Sequence, residues 1–523
     1  MYDGVLGAYK RRMEYTSIFY LLFIFLVMVF FFIVPGKVRW ITILIGNVVF
    51  YLLASSWQTV LFLIVSAAVT WLSAGHIYKI GIQTDANARS RNKKRQKRCL
   101  ILALVCVLGL LAYSKYTYFI TKNLFLLKNW NLDIKVIVPL GISFYTFMCI
   151  SYLLDVYWKK YEPEKNFFRY FTFVSFFPHI VQGPINRYNV ISAQFRAENK
   201  FDFKQMIFGV ERILWGLFQK LVIADRINIF VNAVFAKYET TYGLMWVLTL
   251  SLYSVQTYAD FKGCMDIASG TAELFGIKME QNFDHPYFSK TIPEFWRRWH
   301  MTMGAFFKDY LFFPVSNSKF VKQTSKRLGN KFGPMARKNF ITCFSVAVVW
   351  IATGLWHGAG WTFLLWGCYH GVLTIGGTLF GGKIQMLNKI LWINTETFAW
   401  KLFQMIRTFW LCCLGRIFFR ADSLKQAGTI FGNLVRKTDI AKIVDGSLYG
   451  YELDRANFCL VIILIAIMWA VSMLQKKICI REWLSSQNIV FRWAVLYIAI
   501  FSIVLFGIYG PGYNASSFIY GQF

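Results

Sequence analysis

The chain has 523 residues, of which 57% are hydrophobic, 19% aromatic and only 16% charged. Apolar runs of about 18 residues or more recur along it, which excludes a water-soluble enzyme and predicts an all-α polytopic membrane protein. Fifty-seven Lys and Arg against 26 Asp and Glu give a formal charge of +31. That excess follows positive-inside bias and suits anionic lipids, a phosphate-bearing donor or an anionic polymer. The basic runs sit in short loops between apolar segments, so nucleic acid is not expected as a partner. No polar stretch is long and mixed enough for a separate water-exposed core, and a single membrane-embedded domain over 1–523 is predicted.

The first candidate spans run from Ser17 to Pro35, Arg39 to Trp57 and about Gln58 to Ile80. Arg89, Arg91, Lys93, Lys94, Arg95, Lys97 and Arg98 then form a dense basic segment, read as a cytoplasmic orientation signal. Counting back three spans puts the N-terminus outside. Lys10, Arg11 and Arg12 would resist translocation there, so residues 1–12 read as an extension with Met13 as the functional start. Further spans are expected from Cys99 to Ile120 and from Val136 to Trp158. The apolar stretch Phe168 to Tyr188 is interrupted by Pro178 and Gly183-Pro184, which predicts a re-entrant or broken helix packed in protein. His179 within it reads as structural.

Phe203 to Phe235 carries Glu211, Arg212, Lys220, Asp225 and Arg226 among large apolar residues and reads as an interfacial helix leading into a short buried one. Val247 to Phe261 is apolar and ends near Asp260 and Asp266, carboxylates that suit catalysis but for which helix capping or pairing with a nearby Arg is the expected role. Thr291-Ile292-Pro293-Glu294 has the pattern of a capping box. From it a helix is predicted as far as Pro314, with Trp296, Trp299 and His300 on its buried stripe. Ser316 to Asn339 is a basic loop without acidic residues. Phe340 to Trp356 is a span that would carry His357 roughly 25 Å from that loop at a helical rise.

Gly354, Gly358 and Gly360 around His357 predict a helix break or a close helix contact. A polar group at such depth costs on the order of 2–3 kcal/mol unless it faces protein or water, which marks His357 as functional. His370 reads as structural. Later spans are expected over Phe398 to Phe419, Phe458 to Met473 and Ile489 to Ile508, with a short interfacial helix capped by Asp422 or Ser423 in between. The ten cysteines form no CxxC pair, and HExxH and GxSxG are absent, so no metal site or serine-hydrolase elbow is predicted. An imidazole in an aromatic membrane pocket suits general-base activation of a hydroxyl that attacks a thioester.

EFWRRWH with Trp299-His300, the following Lys308-Asp309-Tyr310, and GLWHGAGWTFLLWGCYHG resemble the signature of the membrane-bound O-acyltransferase family. VQGPINRY, GLFQKLVIADR, ADFKGCMDIASG, NFDHPYF and FFRADSLKQA extend the resemblance over most of the chain. The run Met13-Glu14-Tyr15-Thr16-Ser17, the C-terminal helices of 420–523 and the ending NASSFIYGQF resemble the alginate O-acetyltransferase branch.

The resemblance implies a helical bundle with re-entrant and interfacial helices around a central tunnel. His357 would be the general base and His300 would position donor or acceptor. Arg297, Arg298, Trp296, Trp299, Asp309 and Trp356 are the accompanying substrate-binding candidates. No bound cofactor is implied, the donor being acetyl-CoA or another cytoplasmic acyl thioester. The expected acceptor is an extracytoplasmic polysaccharide or the serine of an SGNH-type partner at the cell membrane. D-alanyl transfer from a carrier protein to teichoic acid is the alternative within the family. A polymer-precursor transporter or flippase is the rival from another class, and the lack of an internal repeat counts against it.

Overall fold

The computed structural model describes residues 13–83, 89–125, 136–436 and 445–509. Residues 1–12 and the ending NASSFIYGQF therefore lie outside the described residues. A backbone in hydrocarbon must satisfy its own amides and carbonyls, and long apolar segments do so as helices. Accordingly the described residues hold no β-strand, only one isolated antiparallel bridge between Phe283 and Trp299. Eight helices among them are long and apolar enough to cross a membrane: Gly36–Ala54, Trp57–Ile82, Arg89–Asn123, Pro334–His357, Trp361–Ile390, Phe398–Arg420, Arg455–Gln475 and Ile489–Phe506. The protein is an all-α polytopic membrane protein, as its composition predicts.

The Trp361–Ile390 helix has no counterpart among the predicted spans. Its second half carries Gly376, Gly377, Gly381 and Gly382, which lower helix propensity in water. In an apolar setting the need to pair every backbone group outweighs that penalty.

The described residues fall into two compact units. One comprises the residues up to Leu217 together with Cys264–Glu280, and the other comprises Phe218–Gly263 and the residues from Gln281 on. In the first unit, the seven cations from Arg89 to Arg98 lie on the opening turns of the 37-residue Arg89–Phe125 helix and not in a loop. At a helical rise this helix is about 55 Å long, well beyond the hydrocarbon core, so its basic end extends past the membrane.

The segment interrupted by prolines is broken as predicted. Two short helices, Phe167–Val174 and Phe177–Ile180, lead through irregular backbone to Tyr188–Arg196. Phe176, Phe177, Ile180 and Gln182 are fully buried, so this irregular stretch is packed in protein. His179 donates from Nε2 to the Phe173 carbonyl at 3.0 Å and accepts at Nδ1 from the Asn186 amide at 3.1 Å. Both nitrogens are engaged, which fits a structural residue. Asp266 pairs with Arg212 at 3.2 Å, and Glu273 pairs with the same guanidinium at 2.7 Å.

The second unit departs from the predicted outline in two further places. The basic stretch after Ser316 is largely a helix, Lys319–Phe332, capped by the Ser318 side chain and closed by Gly333 at φ +89°. Pro334 then opens the next helix, where its missing N–H costs nothing. The second departure is the break in the Thr291 to Pro314 helix, which builds the site.

Candidate active site

Thr291 caps the first short helix, Ile292–Arg298, by accepting from the Glu294 amide at 3.2 Å. Glu294 in turn accepts from the Lys290 amide at 2.9 Å. The helix does not continue to Pro314. It stops at Trp299, and His300 takes a left-handed backbone conformation, φ +49°, before a new helix runs from Met301 to Phe307. A non-glycine residue there carries backbone strain and persists only when its surroundings hold it.

The hold comes from the 282–284 segment. The Asp284 amide donates to the Arg298 carbonyl and the Met301 amide to the Asn282 carbonyl, both at 3.0 Å, on either side of the Phe283–Trp299 bridge. Asn282 Oδ1 accepts from the Thr302 amide and hydroxyl, each at 3.0 Å, and lies 3.2 Å from His300 Nδ1. Since the Thr302 amide can only donate, this atom of Asn282 is the oxygen. Nδ1 of His300 therefore carries its hydrogen, and Nε2 carries the lone pair. His300 is fully buried, with the Phe261 ring edge-on at 4.8 Å.

Beyond Phe307 the chain widens into a π-helical turn, Lys308–Phe312, just before Phe313–Ser316. Pro314 cannot donate, and its ring clashes with the carbonyl four residues back. An inserted π turn relieves that clash without ending the helix. Asp309 lies half-buried in this turn.

His357 closes the Pro334–His357 helix, and Gly358-Ala359-Gly360 turns the chain into Trp361–Ile390. Glycines set the approach of the two helices. A Cβ on Gly354 would lie 2.6 Å from the Phe363 carbonyl oxygen, and one on Gly367 would lie 2.4 Å from that of Trp350. A Cβ on Gly358 would strike the Phe363 ring at 2.2 Å. Small residues of this kind let membrane helices pack backbone to backbone. The predicted break and the predicted close contact are thus both present.

The crossing buries His357 to 2% exposure, edge-on to Trp366 at 4.7 Å and enclosed by Trp356 at 4.9 Å and Phe419 at 5.4 Å. Trp356 is also 6.1 Å from His300, so one indole neighbours both imidazoles.

The remaining predicted residues divide. Trp299 is buried, stacked on Phe295 at 5.5 Å with the Arg416 guanidinium 5.0 Å over its ring. Trp296 packs on Trp350, Trp366 and His370 at 4.9, 5.5 and 4.8 Å, on the side of Trp366 occupied by His370. Arg297 is exposed, and Arg298 is tied to Glu294 at 2.9 Å. No described group of His, Cys, Asp and Glu could hold a metal ion.

Two residues at the site escape sequence reasoning. Asn282 lies eighteen positions from its histidine, and only the antiparallel pairing joins them. Arg416 is a buried cation within an apolar helix and donates to the Tyr287 hydroxyl at 3.2 Å. Arg416 shares the predicted span with Lys401 and Arg407, and a cation within so apolar a segment was the available signal.

Fold and site together define a polytopic membrane enzyme with a deeply buried histidine pair. The chain belongs to the membrane-bound O-acyltransferase family, whose model matches residues 163–417, a range containing both histidines, Asn282 and Arg416. It is 30% identical over 448 residues to a protein of Pseudomonas syringae named "Probable alginate O-acetylase AlgI", covering 84% of this chain and 78% of that one. It is 32% identical over 382 residues to the peptidoglycan O-acetyltransferase of Helicobacter pylori, covering 68% and 66%. The teichoic acid D-alanyltransferase of Bacillus subtilis is 28% identical over 288 residues, 54% of this chain and 68% of that one. The protein is accordingly an acyltransferase that takes its acyl group from a donor.

Proposed function

We propose that this acyltransferase moves an acetyl or other short acyl group from a cytoplasmic thioester, most simply acetyl-CoA, across the cell membrane. The acceptor is an extracytoplasmic polysaccharide or the serine of an SGNH-type partner. The donor approaches along a tunnel that ends near His357. The observation that carries this reading is the burial of His357 at the end of a glycine-packed hairpin, inside rings that keep bulk water from a reactive thioester.

In this reading His357 accepts the proton of the acceptor hydroxyl as the oxygen attacks the thioester carbonyl. The C–O bond forms, the C–S bond breaks, and the imidazolium returns its proton to the departing thiolate. His300, held through Nδ1 by Asn282, positions the reacting group through its Nε2 lone pair. Trp356 packs against both imidazoles.

The protein reconstituted in vesicles with labelled acetyl-CoA provides the test. Transfer of label to polymer or partner by the wild type and its loss in His357→Ala are expected. Retained transfer in that variant would refute the role of His357. Label drawn only from a D-alanyl carrier protein would move the assignment to D-alanylation, and substrate movement without thioester cleavage would indicate a transporter.

A further inference from the structure

Within the first unit, a cavity of about 310 Å³ opens beside the tight turn that joins Ile18–Ile33 to Arg39–Ala54. Its lining includes Lys37, Trp40, Glu164, Arg169 and Glu198. Some of the charges around it are already satisfied. Arg39, next to the turn, caps the preceding helix by donating to the Val34 carbonyl at 3.1 Å.

Glu164 accepts from the Tyr188 hydroxyl at 2.7 Å and the Asn166 amide at 3.0 Å, and pairs with Arg196. Burial alone would raise its pKa, but these donors hold the carboxyl below the usual range, so it stays anionic and keeps Arg196 engaged.

Three charges remain. Lys37 and Arg169 have no carboxylate within ion-pair distance among the described residues, and neither does Glu198 have a cation. The Arg169 guanidinium lies 5.4 Å over the Trp40 ring, which orders it while leaving its N–H groups available.

The cavity sits at headgroup depth. Phe30, Ile33, Ile41 and Ile45 on the two adjoining helices are exposed, and Trp40 is half-buried where such helices end. By alternation of the spans, this turn lies on the same side as the basic start of the Arg89–Phe125 helix.

Two unpaired cations and one unpaired carboxylate in one cavity are complementary to a zwitterion whose anion is shared between two donors. We infer that this cavity binds the phosphoethanolamine headgroup of a membrane phospholipid. Lys37 and Arg169 hold the phosphodiester, and Glu198 accepts from the primary ammonium. A choline headgroup offers no N–H to Glu198, and a glycerol headgroup leaves that carboxylate without a cation. This assignment is independent of the acyl-transfer reading.

The full-length protein in detergent, titrated with phosphatidylethanolamine, phosphatidylglycerol or phosphatidylcholine of matched chains and read by native mass spectrometry, tests it. Phosphatidylethanolamine should be retained about fivefold better than either competitor, the scale of one surface ion pair. Lys37→Gln and Arg169→Gln should each lose retention of phosphatidylethanolamine and phosphatidylglycerol alike. Glu198→Gln should remove the preference over phosphatidylcholine.

All three side chains are exposed, so the variants should remain monodisperse and keep wild-type acyl transfer. Equal retention of phosphatidylglycerol, or unchanged binding in Arg169→Gln, overturns the proposal. Competition by soluble glycerophosphoethanolamine at the same concentration as the lipid overturns the membrane source.

Discussion

Two neighbouring residues of one helix, Asp260 and Phe261, serve two buried polar regions that are built on opposite terms. Asp260 enters an ion cluster. Lys220, from the π-helical turn Phe218–Ala224, lies 2.5 Å from Asp260 and 2.8 Å from Asp225, and all three side chains are 3% exposed. Phe261 instead packs its ring on His300 in the histidine chamber. In the cluster one cation is shared between two carboxylates, and the π turn brings Lys220 within reach of both. In the chamber the polar groups are titratable imidazoles held by rings and one asparagine. The first arrangement suits stability and the second suits proton transfer.

Mutations should separate the two regions. The largest effect is expected for His357→Ala, which should lower acyl transfer about 10²–10⁴-fold, the range for loss of a general base. Thermal unfolding of the purified protein should barely move. Lys220→Met should do the reverse by leaving two buried carboxylates uncompensated, a loss of about 3–5 kcal/mol. The triple variant Lys220→Met, Asp225→Asn, Asp260→Asn should recover most of it, and failure to recover would mean that the cluster does more than balance charge.

Gly367→Ala tests the link between packing and chemistry. Its Cβ would meet the Trp350 carbonyl oxygen at 2.4 Å, so the hairpin must open. A loss of about 1–3 kcal/mol is expected, the usual range for overpacking, with a matching fall in transfer as His357 shifts. The smallest effect on transfer is expected for Asn282→Ala, which removes the hydrogen bond that orients His300 together with the two accepted from Thr302. Transfer should fall about tenfold, consistent with one hydrogen bond of about 1–1.5 kcal/mol. Asn282→Asp keeps an oxygen acceptor and should restore most of the rate, and a change in KM without one in kcat would place His300 in binding alone.

Much of this molecule is legible in its sequence because membranes impose simple rules. Apolar runs give helices, and Pro178 with Gly183-Pro184 marks the broken segment. A histidine flanked by Gly354, Gly358 and Gly360 stands out because neither a polar ring nor a run of glycines is expected at that depth without a reason. The break and close contact at His357 could therefore be expected from residue order alone, whereas the Trp361–Ile390 helix that completes the hairpin could not.

What periodicity could not give is any feature that depends on a distant partner. A helical stripe through Trp299, His300 and Met303 looks continuous, and only the pairing with 282–284 turns His300 into a left-handed break. The tautomer of His300 follows from Asn282, the ordering of Trp299 involves Arg416, and the neutralisation of Asp260 requires Lys220 on another element. Local sequence determines which segments are helical because that choice is settled within a few turns. Tertiary structure decides the state of each buried polar group, because its energy is set by whichever donor or charge the fold brings within about 3 Å.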